Sequence, residues 1–374
     1  MTDQELLYTI ALTRLRHLNS LHLHLLLERA GDAQTLFENR SDIRQILPEA
    51  TPALCRAISA MDTQLSSAEQ EMKFAQEKHI ECLGMDDAGY PARLRECPDA
   101  PILLYYLGET SLNARRIVSI VGTRQITEYG KDLCRTFVAD LKRLCPDVLI
   151  VSGLAYGTDV HAHRNALQQG LPTVGVLAHG LDQIYPRLHR DTAIQMIHQG
   201  GLLTEYPSLT KIDKLNFLAR NRIVAGIADA TIVVESAQRG GSLITARIAR
   251  DYNREVFAFP GRVTDTYSAG CNALIANTEA GAILGAEDFM LSMGWMTEQD
   301  QKSLKNKNAQ LELFPELSEE EEKIVSALKN SDGKGINQIS VETCTPIGEL
   351  SSLLFTLEMK GLVKMMNGGM YRLL

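Results

Sequence analysis

The run IVSIVGTRQITEYGKDLCRTFVADLKRLCPDVLIVSGLAYGTDVHAH (117–163) sets two β-branched apolar stretches, IVSIVG (117–122) and VLIVSG (148–153), on either side of a helix-length segment. The same rhythm continues outward through TVGVL (173–177), GLLTE (201–205), TIVVE (231–235) and EVFAFPG (255–261), with about ten to fifteen residues of helical pattern between them. Uninterrupted apolar runs mark strands buried on both faces, and a helix between each pair implies right-handed crossovers. The expectation is an α/β fold: a Rossmann-like doubly wound parallel sheet.

The flanks read differently. Residues 1–78 carry apolar positions at helical spacing (Leu7, Ile10, Ala11, Leu15, Leu18), with Thr51-Pro52 as a helix start and Gly31 as a helix end. They predict a small bundle of four or five short helices. The Rossmann-like domain is expected over 79–292 and a linker rich in Gln, Lys, Asn and Glu over 293–316. Over 317–374, a capping box at Ser318 and Glu321 precedes a short helix near 337–341, a longer helix with Ile347, Leu350, Leu354 and Leu357 on one face, and a hairpin turn at Asn367-Gly368-Gly369. That order describes a winged helix.

With 374 residues, 45% hydrophobic and 22% charged, the chain has the make-up of a multi-domain globular protein, which excludes disorder and fibrous repeats. It has no run of eighteen uncharged apolar residues, and its N-terminus lacks the pattern of a signal peptide, so a cytoplasmic location without a membrane segment is expected. Seven scattered cysteines without a C-x-x-C pair point to reduced thiols and no metal. The net charge of −8 is uneven: 19 Lys and Arg stand against 17 Asp and Glu between Leu112 and Met290, and 19 against 29 elsewhere. A near-neutral centre can still hold a basic groove.

Ligands of open parallel sheets bind beyond the carboxyl ends of the strands. Three small-residue loops fall there, each leading into a helix: Gly122-Thr123-Arg124, then Ser152-Gly153 through Tyr156 to Asp159, then Arg239-Gly240-Gly241-Ser242 through Thr245. Glycines let backbone N–H groups approach an anion, the helix N-terminus adds partial positive charge, and arginines and hydroxyls supply side-chain donors. The bland alternative is that the glycines only permit tight turns. Neither G-x-G-x-x-G nor G-x-x-x-x-G-K-[ST] occurs, so an ordinary dinucleotide or P-loop site is not expected. Arg187, after Tyr185-Pro186, and Arg220, Asn221 and Arg222, after Phe217, add arginine with aromatics, a pairing suited to single-stranded nucleic acid; Arg220 and Arg222 could instead brace Glu205 or Glu235. Catalytic signatures are absent, His161 and His163 face different ways on a helix, His189 reads as a polar contact, and Asp159 reads as a helix-start or loop contact.

The motifs VGTR (121–124), SGLAYGTDVHAH (152–163), GLDQIYP (180–186), TEYP (204–207), ARNRIVAG (219–226), GGSLITARIA (240–249), FAFPG (257–261) and GCNALI (270–275) together resemble the DNA-processing protein A family, DprA or Smf. The resemblance implies a homodimeric protein that binds single-stranded DNA (ssDNA) without base preference, loads RecA recombinase on it during natural transformation, displaces single-strand-binding protein, and uses no cofactor or turnover chemistry. It assigns Arg124 to a phosphate, Ser152 and Gly153 to the anion pocket, Arg187 to the basic position after Tyr-Pro, Asn221 and Arg222 to the Arg-Asn-Arg element, and Gly241, Ser242 and Thr245 to the later loop. The N-terminal bundle would be a SAM or helix-hairpin-helix-like module. Its RLRHLNSLHLHLL lacks the Gly-x-Gly turn, which favours packing or interaction over DNA binding, while Leu218 and Thr158 depart from the family pattern tolerably. The acidic Glu349 and Glu358 of the last long helix point to partner binding or regulation rather than duplex reading.

A phosphoribohydrolase is the alternative from another class. Its loop carries a catalytic glutamate, whereas Arg247 follows Thr245 here. A ligand-sensing transcription factor is the third reading, weakened by that acidic helix.

Overall fold

The computed structural model describes residues 1–15, 18–297, 317–329, 331, 333–366 and 369–373. They form two compact units, Met1–Met296 and Thr297–Leu374, each taken by itself below.

All six predicted runs are strands. With a helix after each of the first five, they are β3 (Ile117–Val121), α7 (Glu128–Leu144), β4 (Leu149–Ser152), α8 (Thr158–Gln168), β5 (Thr173–Val176), α9 (Arg190–Gln199), β6 (Gly200–Thr204), α10 (Lys214–Gly226), β7 (Ala230–Val233), α11 (Gly241–Asp251) and β8 (Glu255–Ala258). Elements before and after these are α1 (Asp3–Thr13), α2 (Ser20–Ala30), α3 (Ala33–Glu38), α4 (Pro52–Ser59), α5 (Leu65–Glu77), β1 (Glu81–Gly84), α6 (Ala92–Arg95), β2 (Leu103–Gly108), α12 (Ala269–Ala276), β9 (Gly281–Ala282) and α13 (Ala286–Ser292). The sheet order is β1-β2-β6-β5-β4-β3-β7-β8-β9. From β6 to β9 every pairing is parallel, but β1 and β2 add an antiparallel edge. The sheet is therefore mixed rather than wholly parallel. β1 is a four-residue edge strand, and β2, the six-residue apolar run LLYYLG between β1 and β6, stands outside the strand-helix rhythm by which the other strands are read.

Alternation along the strands builds two cores, one on each face. Ile117 and Val121 pack with Ile223 and Ala225 of α10 and with Ala246 and Ala249 of α11. Val118 and Ile120 pack with Phe137, Val138 and Leu141 of α7 and with Phe289 of α13. This is why the parallel strands bury no charged residue, and why their few hydroxyls, such as Ser119 and Thr231 at 2.8 Å from one another, are bonded internally: both faces are covered.

The helices α1–α5, with the 3₁₀ turn between α4 and α5, bury Ile10, Leu26, Leu36, Ile58 and Met61 in a third core, which runs on into Ile80, Ile102, Leu103 and Tyr105 at the antiparallel edge. Thr51 caps α4 by accepting the Leu54 N–H, with Pro52 at the first position, and Gly31 ends α2 at φ +91°. After α13, Met293, Trp295 and Met296 still pack on the sheet. The rest of the expected linker, from residue 298, lies outside the described residues.

The second unit holds α14 (Glu319–Leu328), β10 (Lys334–Gly335), α15 (Ile336–Thr343), α16 (Ile347–Met359), β11 (Val363–Met366) and β12 (Met370–Leu373), a winged helix with sheet order β10-β12-β11. Its capping box forms as expected between Ser318 and Glu321. Lys360 closes the other end of the unit on both Glu321 oxygens at 2.7 Å, and with the Ser318 N–H it holds that carboxyl below its ordinary value. Leu350, Leu354 and Leu357 are buried as expected, but Ile347, at the helix start, is exposed. Of the expected hairpin turn, Asn367 and Gly368 lie outside the described residues. Cys344 caps α15 in a left-handed conformation and is exposed. Among the described residues no helix is long and apolar enough to cross a membrane.

One buried group gives the first unit an acid sensitivity. His163, fully buried in α8 with Nδ1 2.7 Å from Thr173 Oγ1, has its pKa pushed down to about 3, first by burial and then by the nearby Arg220. The unfolded chain then binds more protons below pH 6.5, so stability is lost as pH falls from there. In urea unfolding of the full chain, His163→Gln should remove about 2 kcal/mol of the stability difference between pH 7 and pH 5. Equal pH dependence in the variant would contradict this.

Candidate nucleic-acid interface

β3 lies between β4 and β7, so the chain winds away from it in both directions, and the loops after all three strands meet at one crevice. The crevice holds a cavity of about 330 Å³, closed on one side by α10 and on another by the start of α11. Gly122, Thr123 and Arg124 line it from the first loop and Gly153 from the second. Gly240, Gly241, Ser242 and Thr245 line it from the third, and Arg220 and Asn221 from α10.

The floor is built on Arg220. Its side chain is buried in α10, and its NH1 donates to the carbonyl of Gly153 at 2.6 Å and also to that of Val176. A Cβ on Gly153 would stand 2.3–2.4 Å from three guanidinium atoms, so only glycine leaves room. Asp159, in the first turn of α8, is buried with Arg220: burial raises its carboxyl pKa, and the guanidinium and the Ala155 N–H oppose that rise. The same carboxylate offsets the desolvation that pulls Arg220 down. Asp159 is thus a loop and charge contact.

Above this floor the donors are open. α11 has Gly240 as its N-cap and no side-chain cap, and while the Leu243 N–H donates to the Gly240 carbonyl at 3.2 Å, those of Gly241 and Ser242 are left for another acceptor. A Cβ on Gly241 would meet no atom within 4 Å. Ser242 Oγ is turned to Ser236 Oγ at 2.9 Å, so this hydroxyl stiffens the loop. Arg124 is exposed, with its guanidinium 5.8 Å from the ring centroid of Phe217. Arg124, Lys214 and Arg239 make no ion pair among the described residues. Unpaired cations around uncapped N–H groups make a site for phosphate oxygens.

Four expected site residues lie outside the cavity lining. Ser152 is fully buried, and its Oγ donates to the carbonyl of Ile120 at 2.5 Å, tying β4 to β3. Arg222 pairs with Glu205 and lies 3.9 Å from Asp99, so it braces α10 as the alternative reading had it. Two residues along a helix from Arg220, it points about 200° away. Tyr156 is exposed, edge-on to His189 at 5.1 Å, and Arg187 is exposed in a short 3₁₀ turn, Arg187–His189. His189 is a polar contact, with Nδ1 2.8 Å from the Leu154 carbonyl.

Lys214 lines the cavity without having been singled out by the sequence, beside Phe217, the aromatic that the sequence reading places ahead of the arginines. Lys214, Phe217, Leu218 and Asn221 are spaced i, i+3, i+4, i+7, which puts them on one stripe of α10, and that spacing was the available signal.

A doubly wound sheet with a glycine-lined crevice at its switch point, together with a winged helix, defines the class as a Rossmann-type α/β protein with a winged-helix unit. Residues 81–294 match the family described as DNA recombination-mediator protein A, and residues 312–369 match the DprA winged helix domain. Protein Smf of a Synechocystis species is 34% identical over 326 residues, 79% of this chain and 81% of the relative. The X-ray structure of DprA from Streptococcus pneumoniae is similar with a TM-score of 0.61 at 30% identity, covering 74% of this chain and 98% of that one. A Helicobacter pylori DprA structure, described for its single-stranded DNA binding mode, is similar with a TM-score of 0.52 at 30% identity, covering 58% of this chain and 97% of that one. The chain belongs to the DNA-processing protein A family, DprA or Smf.

Two glycines separate scaffold from site. Gly153→Ala should displace Arg220 and lower stability by about 1–3 kcal/mol, as overpacking does. Gly241→Asp, in open space and with a carboxylate added, should leave the melting temperature within about a degree of the parent and abolish binding of an oligonucleotide. A Gly241→Asp chain that binds normally would remove the α11 N-terminus from the interface.

Proposed function

We propose that the chain is a sequence-independent ssDNA-binding protein that grips the sugar-phosphate backbone at the carboxyl edge of its sheet and cuts no bond. The observation that carries this is the meeting of unpaired Arg124 and Lys214 with the uncapped start of α11 around one glycine-lined cavity. Contacts of this kind bind phosphate and carry no base information. Phe217, at the same mouth, offers a face on which a base can stack. Gly122, Thr123, Arg124, Gly153, Asn221, Gly240, Gly241 and Thr245 are the residues we assign to the strand, with Lys214 and Phe217 added and Arg220 as their support.

Within the family, this activity suits a protein that protects incoming DNA and loads RecA on it during transformation and recombination, displacing single-strand-binding protein and acting as a homodimer in the cytoplasm. Membership of the family supports these roles. The absence of a catalytic role is supported by two observations. Asp159 is buried and committed to Arg220 and Ala155, and Arg247, in α11 just after the third loop, stands where a phosphoribohydrolase has its glutamate. The winged helix exposes Glu349 and Glu358 on α16, which supports a protein partner over a DNA groove.

A grip on about three to six phosphates predicts that log K for oligothymidylate falls with log salt at a slope of roughly −2 to −4. Arg124→Ala should flatten the slope by about one half to one and weaken binding by about 1–3 kcal/mol. Equal affinity for a duplex of the same length would overturn the strand preference, and hydrolysis of a nucleoside monophosphate without oligonucleotide binding would favour the phosphoribohydrolase. Shortening of the lag in RecA filament formation on protein-coated single strands checks the loading role.

A further inference from the structure

α10 is anchored unequally along its length. Its C-terminal half is fixed by Arg220 on the carbonyls of Gly153 and Val176 and by Arg222 on Glu205. Its N-terminal half carries Lys214 and Phe217 at the cavity mouth and is open to water, with Leu215 71% and Leu218 38% exposed. This half meets Tyr185, edge-on to Phe217 at 5.8 Å, and is tied by hydrogen bonds to the strap of residues 205–213 that joins β6 to α10: Tyr206 Oη donates to the Asn216 carbonyl and Asn216 Nδ2 to the Lys211 carbonyl, each at 3.4 Å.

The strap is held from the N-terminal helices. Glu71 of α5 is only 2% exposed, and the Ser208 N–H donates to both of its carboxylate oxygens, at 2.9 and 3.0 Å. Ser208 Oγ donates to Oε2 at 2.6 Å, and Arg14, after α1, donates to the same oxygen at 3.1 Å. One buried carboxylate thus joins two segments of the bundle to the strap, with the arginine offsetting its charge. Immediately after this clamp Leu209 adopts φ +62° with 83% of its surface exposed, a conformation a branched side chain adopts only when its neighbours impose it. Three more bonds pass the constraint on: Gln183 Nε2 to the Thr210 carbonyl at 3.1 Å, Thr210 Oγ1 to the Pro207 carbonyl at 2.6 Å, and the Leu215 N–H to the capping Asp213 at 2.7 Å.

We propose that Glu71 is a positioning residue for the strand interface: through Ser208 the helical bundle sets the strap, and the strap sets Lys214 and Phe217. The inference rests on the single-strand reading above and gives the N-terminal bundle a part in it. A strap released from Glu71 must be ordered by the ligand at binding, which lowers affinity without removing any direct contact.

A double-mutant cycle tests this, read by the anisotropy of labelled oligothymidylate on the full chain. Glu71→Ala should weaken binding about three- to tenfold, the scale of one ordinary hydrogen bond and a fraction of the clamp it removes, with Glu71→Gln recovering part of the loss. In a Lys214→Ala, Phe217→Ala background the effect of Glu71→Ala should vanish. Ser208→Ala removes a single hydroxyl and carries the same cycle should Glu71→Ala fail to fold. A loss of equal size in both backgrounds, or folded Glu71 and Ser208 variants that bind like the parent while Lys214→Ala, Phe217→Ala binds weakly, overturns this inference alone. Undiminished binding by Lys214→Ala, Phe217→Ala overturns it together with the assignment of α10 to the interface.

Discussion

A guanidinium out of water organises the crevice. Burying a charge carries a penalty of several kcal/mol unless it is bonded and balanced, and Arg220 meets both conditions with the carbonyls of Gly153 and Val176 and with the carboxylate of Asp159. Those groups belong to the ends of β4 and β5 and to the start of α8. The arginine therefore fixes the height of α10 over the sheet, the path of the loop after β4, and the need for glycine at 153. A second buried carboxylate does the equivalent on the other side of β3: Glu235 accepts the Thr127 N–H at 2.9 Å and its Oγ1 at 2.6 Å, tying the loop after β7 to the cap of α7. The crevice loops are thus held by internal charges, which leaves Arg124 and Lys214 outside these pairs.

That division explains which parts of the interface were legible in the sequence. Continuous apolar runs gave all six central strands, because two-sided burial leaves a plain mark on composition. The antiparallel β1 left none, being four residues at the sheet edge, whereas β2 carries the apolar run LLYYLG between β1 and β6 but stands outside the βαβ rhythm, with no helix separating it from β3. Glycine-rich loops after β3, β4 and β7 announced the crevice, since strand order follows from chirality and crossover length. Telling Arg220 from Arg222 was harder: both follow the same strand, and only the phase of α10 decides that one reaches the crevice and the other Glu205. Ser152 misled for a related reason, because a hydroxyl at the last residue of a strand can face its neighbouring strand as readily as the ligand. Lys214 was overlooked because it sits a full turn ahead of the aromatic that drew attention.

The two terminal regions pose opposite problems. The N-terminal helices share their core with the antiparallel edge, through Ile102, Leu103 and Tyr105, so they form part of the same compact unit as the sheet. The winged helix has its own core of Ile324, Leu328, Ile339, Leu350, Leu354, Leu357 and Val363, closed by the Lys360–Glu321 pair. Its exposed Phe355 and Met359, beside an acidic residue at 358, give it a surface unlike that of a helix made for a polyanion.

Of the seven thiols, Cys344 alone is exposed, at the cap of α15, while burial pushes Cys82, Cys134 and Cys271 up to about 12 and Cys97 to about 11. Sheltered thiols of that kind react slowly with electrophiles at neutral pH. A maleimide fluorophore would accordingly attach to the winged helix in the unaltered polypeptide, turning that unit into an optical beacon for whatever docks on it.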